Sequence, residues 1–234
     1  IVDGRVQIDG VNPICQLLSP EEMFFRAFRH QDFDICELSL SSYCVSVSQG
    51  DNKYIAVPVF LSRTFRHTSI YIRTDRGIEK PIDLKDRRIG IAEYQLTANV
   101  WARAFLEEEG LSPSDIQWVM GGMIEPDRPE KIKLKLPPDI RMERAPAGAT
   151  LNQMLLDGDI DGFVGPRALP CFIDGHPDIG WLYADPQAAA EAYYDRTKIF
   201  PIMHVLGVRK ELAEQHTFVP GALLKAFSEA KAMA

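Results

Sequence analysis

Residues 87–110 read RRIGIAEYQLTANVWARAFLEEEG, and this stretch decides the fold. Arg88 to Ala92 is a short apolar run of the kind a buried strand shows. Leu96 to Glu109 repeats apolar positions at helical spacing and stops at Gly110. A strand feeding a helix is the repeating unit of α/β proteins. Working outward, Pro81-Ile82-Asp83-Leu84 reads as one helical turn and Ile116 to Met120 as the next strand. Further on come a helix over 150–157, a strand over 160–164, a helix over 188–195 and a strand over 202–208. Helices at about 210–215 and 220–232 follow. Toward the N-terminus, Ser19-Pro20-Glu21-Glu22 is a helix start, with a capping serine, proline in the first turn and acids near the positive end. That helix runs to about His30. Phe33 to Leu40 is a strand, Ser41-Ser42 are expected to cap a second helix, and Tyr54 to Phe60 and Ser69 to Arg73 are strands rich in β-branched and aromatic residues.

The chain has 234 residues, 46% of them hydrophobic, enough for a sizeable core in one large or two small domains. No apolar run reaches the roughly eighteen residues that a membrane span needs. A net charge of −7 argues against a nucleic-acid surface, while a few arginines can still create a local anion site. Cys15, Cys36, Cys44 and Cys171 form no CxxC pair, which disfavours a zinc ribbon, and thiols suit the cytoplasm. Cys36 reads as a small buried hydrophobe. Ile1 is not an initiator methionine and Ala234 falls inside an apparent helix, so both ends are expected to be incomplete.

The stretch from Gly121 to Gly148 stands apart. It holds Pro126, Pro129, Pro137, Pro138 and Pro146, and the alternation over 131–136 predicts an exposed strand with lysines facing water. Such an insertion is a functional element, an oligomer contact or a solvated hairpin. Homo-oligomerisation is left open.

In open parallel sheets, ligands sit at the carboxyl ends of strands beside helix N-termini. That rule selects Ser41, Ser42 and Tyr43, then Glu93, Gln95 and Thr97, then the loop 62–67, then Arg167. Serine and threonine hydroxyls beside open helix N–H groups bind carboxylate or phosphate, and the plainer reading is ordinary capping. Arg63, Arg66 and His67 put up to three cations within five positions, a cluster that an anion would relieve. A guanidinium grips a carboxylate through two parallel hydrogen bonds, and salt bridging to acidic neighbours is the alternative. Arg167 is a candidate for a second grip. His204 interrupts the apolar strand Ile202-Met203-His204-Val205-Leu206, where a satisfied core histidine is as good a reading as a catalyst. Glu37 interrupts another apolar strand, where a buried carboxylate must be paired. None of the five histidines has a local metal-ligand spacing, so no metal is expected.

The Asp83-Leu84 turn leading into residues 87–91, together with the helix–turn–strand over 155–163, resembles the type 2 periplasmic-binding-protein fold. The resemblance implies two lobes around a ligand cleft, with crossovers near Gly77 and Lys198. Residues 1–78 plus 199–234 would form one lobe and 79–198 the other.

More specific phrases are Glu37-Leu38-Ser39-Leu40-Ser41-Ser42-Tyr43, Val57-Pro58-Val59-Phe60, Phe65-Arg66-His67, Glu93-Tyr94-Gln95-Leu96-Thr97-Ala98, and Tyr193-Tyr194 with Ile199-Phe200-Pro201-Ile202-Met203-His204. Together they resemble the 4,5-dihydroxyphthalate decarboxylase family over almost the whole chain. Members of that family carry a further strand before the equivalent of Ile1 and more helices after Ala234. The resemblance implies conversion of a small aromatic dicarboxylate, 4,5-dihydroxyphthalate, to protocatechuate and carbon dioxide, in the cytoplasm, without an organic cofactor. His67 and His204 are then candidate acids or bases, Glu37 and Glu93 partners of the catechol hydroxyls, and Arg63, Arg66 and Arg167 carboxylate clamps. The rival reading is a non-catalytic, periplasmic solute-binding protein for an aromatic or dicarboxylic acid.

Overall fold

The computed structural model describes residues 1–126 and 130–234; of the five prolines singled out above, Pro129 lies outside the described residues. The chain divides into two compact units, residues 1–63 with 202–234 and residues 64–201.

Unit 1 opens with helix α1 (Pro20–His30). The Ser19 hydroxyl accepts the Glu22 N–H at 3.3 Å, Pro20 fills the first turn, and the helix ends where Gln31 turns left-handed. Strand β1 (Ile35–Ser39), helix α2 (Leu40–Ser48) and strand β2 (Tyr54–Arg63) follow. The second helix begins one residue ahead of Ser41, so Ser41 and Ser42 lie inside its first turn and Ser39 holds the capping position.

Unit 2 contains strand β3 (Ile70–Arg73), strand β4 (Arg88–Ile91), helix α3 (Thr97–Glu108), strands β5 (Gln117–Met120) and β6 (Arg141–Arg144), and helix α4 (Leu151–Asp157). After these come strand β7 (Gly162–Val164), helix α5 (Pro170–Ile173), strand β8 (Ile179–Trp181) and helix α6 (Pro186–Thr197). Its sheet runs β6-β5-β4-β7-β3-β8. The first four strands are parallel; β3 runs antiparallel to β7 and β8. Because β3 pairs inside this sheet, residues 64–78 join unit 2. The first crossover therefore falls after Arg63 and not near Gly77. Ile91, Trp118 and Leu106 pack on one face of the sheet, Val119, Leu155 and Phe163 on the other. The backbone approach at Gly162 requires glycine: a Cβ there would sit 2.6 Å from the Tyr71 carbonyl oxygen.

The chain then returns to unit 1 with strand β9 (Ile202–Arg209) and helices α7 (Lys210–Gln215) and α8 (Val219–Met233). Strand β9 is the centre of a three-stranded antiparallel sheet, with β1 on one side and β2 on the other. Leu206 and Val208 pack with Val57, Leu223 and Ala226; Val205 packs with Leu38, Tyr54 and Ala27.

The strand expected over 131–136 is absent. Alternation alone suggests a pleated edge, but Lys131 is buried in an irregular segment, and the edge strands of this sheet are β6 and β8. The β6 edge carries charge in place of apolar side chains: Arg141 pairs with Asp86, Glu143 with Arg88 and Arg144 with Glu130.

Candidate functional site

In unit 1, β1 and β9 bring Glu37 and His204 onto one face. Glu37 lies opposite Leu206 and Ser39 opposite His204, so the two are diagonal neighbours within reach of long side chains. The His204 Nδ1 and a Glu37 carboxylate oxygen are 2.5 Å apart. Both side chains keep some exposure, 16% for His204 and 25% for Glu37. The Phe24 ring meets His204 edge-on, with centroids 4.8 Å apart. On the other side of His204 lies Ser62, and just before it β2 bulges: five steps from Val57 to Ser62 match two along β9. Bulges of this kind re-aim side chains at the rims of sites. The signal for this pair was legible: two polar interruptions in two apolar strands, each costly unless it meets the other.

The neighbouring α2 residues divide by role. Ser42 is fully buried, and its hydroxyl donates to Ser39 at 3.2 Å. The Tyr43 hydroxyl accepts the Ala56 N–H at 3.2 Å. Both contacts tie α2 to the rest of unit 1. Ser41 stays part-exposed in the first turn of the helix. Arg63 is exposed at the end of β2, its guanidinium 5.5 Å from the Phe60 ring centroid.

Of the expected cluster, Arg66 and His67 belong to unit 2 and Arg63 to unit 1. His67 is 3% exposed and lies flat on Phe105, with centroids 4.3 Å apart and planes at 6°. Tyr183, Tyr193 and Phe65 close around it. Its Nδ1 is buried with no hydrogen-bond partner. Burial, reinforced by the Arg196 charge, lowers its pKa to about 4. His67 is thus a ring enclosed by aromatics and kept neutral by burial, with one nitrogen, Nδ1, unsatisfied.

Arg66 donates from Nη1 to the Pro166 carbonyl at 3.2 Å, which ties it to the loop that carries Arg167 after β7. Burial pulls the Arg66 pKa below its usual value. Arg167 itself is exposed. After β4, Glu93 is anchored at several points. Its Oε2 receives the Gln95 Nε2–H at 2.8 Å and an ion pair from the Lys131 ammonium. Its carbonyl accepts from Asn99 Nδ2 at 2.8 Å, and Arg103 holds the Tyr94 carbonyl at the same distance. Thr97 is buried as the first residue of α3. Lys131 escaped the sequence reading because its alternating neighbours suggested a solvated face. Among the described residues no cluster of His, Cys, Asp or Glu is arranged to hold a metal ion, and no helix is long and apolar enough to cross a membrane.

No family model matches the chain. Solved structures place the architecture. The periplasmic aliphatic sulphonate binding protein SsuA from Escherichia coli is 16% identical, with a TM-score of 0.52 over 92% of this chain and 60% of that one. The alkanesulfonate-binding protein SsuA from Xanthomonas axonopodis pv. citri is 13% identical, with a TM-score of 0.53 over 90% and 59%. The chain thus spans about three-fifths of those proteins, and the likeness defines its class: an α/β protein of the type 2 periplasmic-binding-protein-like fold. Much closer in sequence is the 4,5-dihydroxyphthalate decarboxylase of Comamonas testosteroni, 61% identical over 235 residues, 100% of this chain and 71% of that protein. That of Pseudomonas putida is 63% identical over 195 residues, 83% of this chain and 76% of that protein. The chain belongs to the 4,5-dihydroxyphthalate decarboxylase family.

Proposed function

We propose that the chain is a carboxy-lyase of aromatic catabolism that converts 4,5-dihydroxyphthalate to protocatechuate and carbon dioxide, with Glu37 and His204 as its proton-transfer pair. Family membership supports the reaction, and the 2.5 Å contact between Glu37 and His204 carries the assignment of the pair. The binding-protein rival is disfavoured, because the likeness to solute-binding structures is one of fold alone, while the sequence relatives at 61–63% identity are decarboxylases.

The substrate supplies its own electron source. Each carboxylate has a ring hydroxyl para to it. When that hydroxyl loses its proton, electron density moves to the carbon bearing the carboxylate. A proton joins that carbon, the carbon–carbon bond to the carboxylate breaks, and carbon dioxide leaves as the ring regains aromaticity. Two proton movements are required, one from the phenol and one to the ring carbon. A carboxylate on Nδ1 fixes the imidazole's orientation and leaves Nε2 as the atom that gives or takes the proton. Glu93 is the acceptor for a catechol hydroxyl. In unit 2, Arg66 and Arg167 offer the carboxylate contacts; Arg63 and Ser41 are anion contacts of unit 1. A cytoplasmic location accords with four cysteines that form no disulfide.

The test is incubation with 4,5-dihydroxyphthalate while following protocatechuate by absorbance and carbon dioxide release. Wild-type protein turns over. His204→Ala loses about a hundredfold to ten-thousandfold in kcat while keeping its affinity for substrate within a few-fold. Full turnover in His204→Ala removes the histidine from the mechanism, and tight binding without turnover by the wild type favours the binding-protein reading.

A further inference from the structure

Lys131 is 6% exposed, in a segment without regular secondary structure, and its ammonium meets Glu93 at the carboxyl end of β4. A buried lysine paired with a carboxylate adds little net stability over an apolar pair of the same size, because both charges lose water. What the pair does achieve is geometric. The ammonium and the Gln95 amide both engage Oε2. The carbonyls of Glu93 and of Tyr94 after it are pinned by Asn99 and Arg103. The other oxygen, Oε1, takes no hydrogen bond from the described residues, on a side chain that keeps 16% exposure. The result is a carboxylate with one committed oxygen and one open acceptor, at the strand end where parallel sheets place ligands.

We propose that Lys131, by fixing one oxygen of Glu93, makes the other the acceptor that selects a substrate carrying a ring hydroxyl. Lys131 is thus a positioning and specificity residue that acts through Glu93, and the proposal rests on the assignment of Glu93 to a catechol hydroxyl. A site built to accept from a hydroxyl rejects the analogue lacking it, because the acceptor is then left desolvated and unpaired. Loosening that acceptor lowers the discrimination without abolishing recognition of the carboxylates.

The experiment compares two ligands, 4,5-dihydroxyphthalate and phthalate, the latter identical but for its missing hydroxyls. Affinities are measured by calorimetry for wild type, Lys131→Met, Lys131→Arg and Glu93→Gln, with thermal melts on the same preparations. Wild type prefers the dihydroxy ligand. Lys131→Met loses tenfold or more of that preference, phthalate binding stays within about threefold, and Lys131→Arg recovers part of the loss. Glu93→Gln retains shape and also loses preference, which keeps the test open should Lys131→Met fold poorly. An unchanged preference in folded Lys131→Met, or equal weakening for both ligands, overturns the proposal. The readout is binding, so it is separate from catalysis. A wild type that discriminates but does not turn over leaves this proposal standing while the enzymatic reading fails. A wild type without preference overturns the proposal even if turnover is normal.

Discussion

His204 and His67 are the same residue in opposite surroundings. His204 sits on the central strand of a small antiparallel sheet, keeps 16% of its side chain exposed, and leans on a carboxylate 2.5 Å away. His67 sits at 3% exposure on a phenylalanine face, with burial holding its pKa near 4 and one ring nitrogen unpaired. The first arrangement fixes a ring against a carboxylate through one nitrogen. The second lays the imidazole flat against an aromatic ring and keeps it neutral by burial. The partner of a histidine, more than its place in a motif, decides which of these it becomes.

The sharpest break between the two is in turnover. Glu37→Gln keeps the size of the side chain and loses its charge, and kcat falls by about a hundredfold. In His67→Phe kcat stays within about threefold. Steady-state protocatechuate release on both variants checks this, and a comparable loss in the two erases the distinction.

The next effect is on stability against pH. In the unfolded chain His67 protonates near its ordinary value of 6.5, and in the folded chain only near 4. Between those values the unfolded chain binds more protons. The His67 contribution is therefore complete above pH 6.5 and is lost as pH falls toward 4, at roughly 1.4 kcal/mol per pH unit. Urea unfolding at several pH values should show a steeper loss in wild type than in His67→Phe. Parallel curves would mean that His67 does not titrate in this way.

The smallest effect concerns the ring that braces His204. An edge-on aromatic contact contributes about 0.5–1.5 kcal/mol. Phe24→Leu should lower kcat up to about tenfold with KM little changed, through looser orientation of the imidazole. A KM effect alone would place Phe24 in binding and not in bracing.

Much of this was written plainly in the chain. The strand–helix alternation, the helix starts at Ser19-Pro20 and the polar intrusions at Glu37 and His204 follow local rules of capping and burial. What stayed hidden depended on partners far along the chain. His67 follows two arginines in sequence, yet its environment is set by Phe105, Tyr183 and Tyr193 from distant segments. Residues 64–78 look like a continuation of what precedes them, but β3 hydrogen-bonds to strands formed much later. The period-2 pattern at Lys131 reports alternation only, and alternation does not reveal that one lysine has a glutamate to reach. Ser42 and Tyr43 sit where ligand-binding hydroxyls belong, and only the register of α2 on the sheet shows their oxygens engaged internally.

The central position of β9 bears on how the protein comes into being. Strands β1 and β2 pair with β9 and not with each other, so the first unit has no complete sheet until residues 202–209 have been made. Residues 64–201 form one continuous stretch and can close on themselves earlier. Glu37 must wait for a partner 167 residues downstream. Loop closure over that distance costs chain entropy, and a compact intervening unit shortens the effective loop. Glu37 and His204 can therefore meet only when segments on both sides of the second unit are in place, and a chain stalled before residue 204 holds the second unit without that contact.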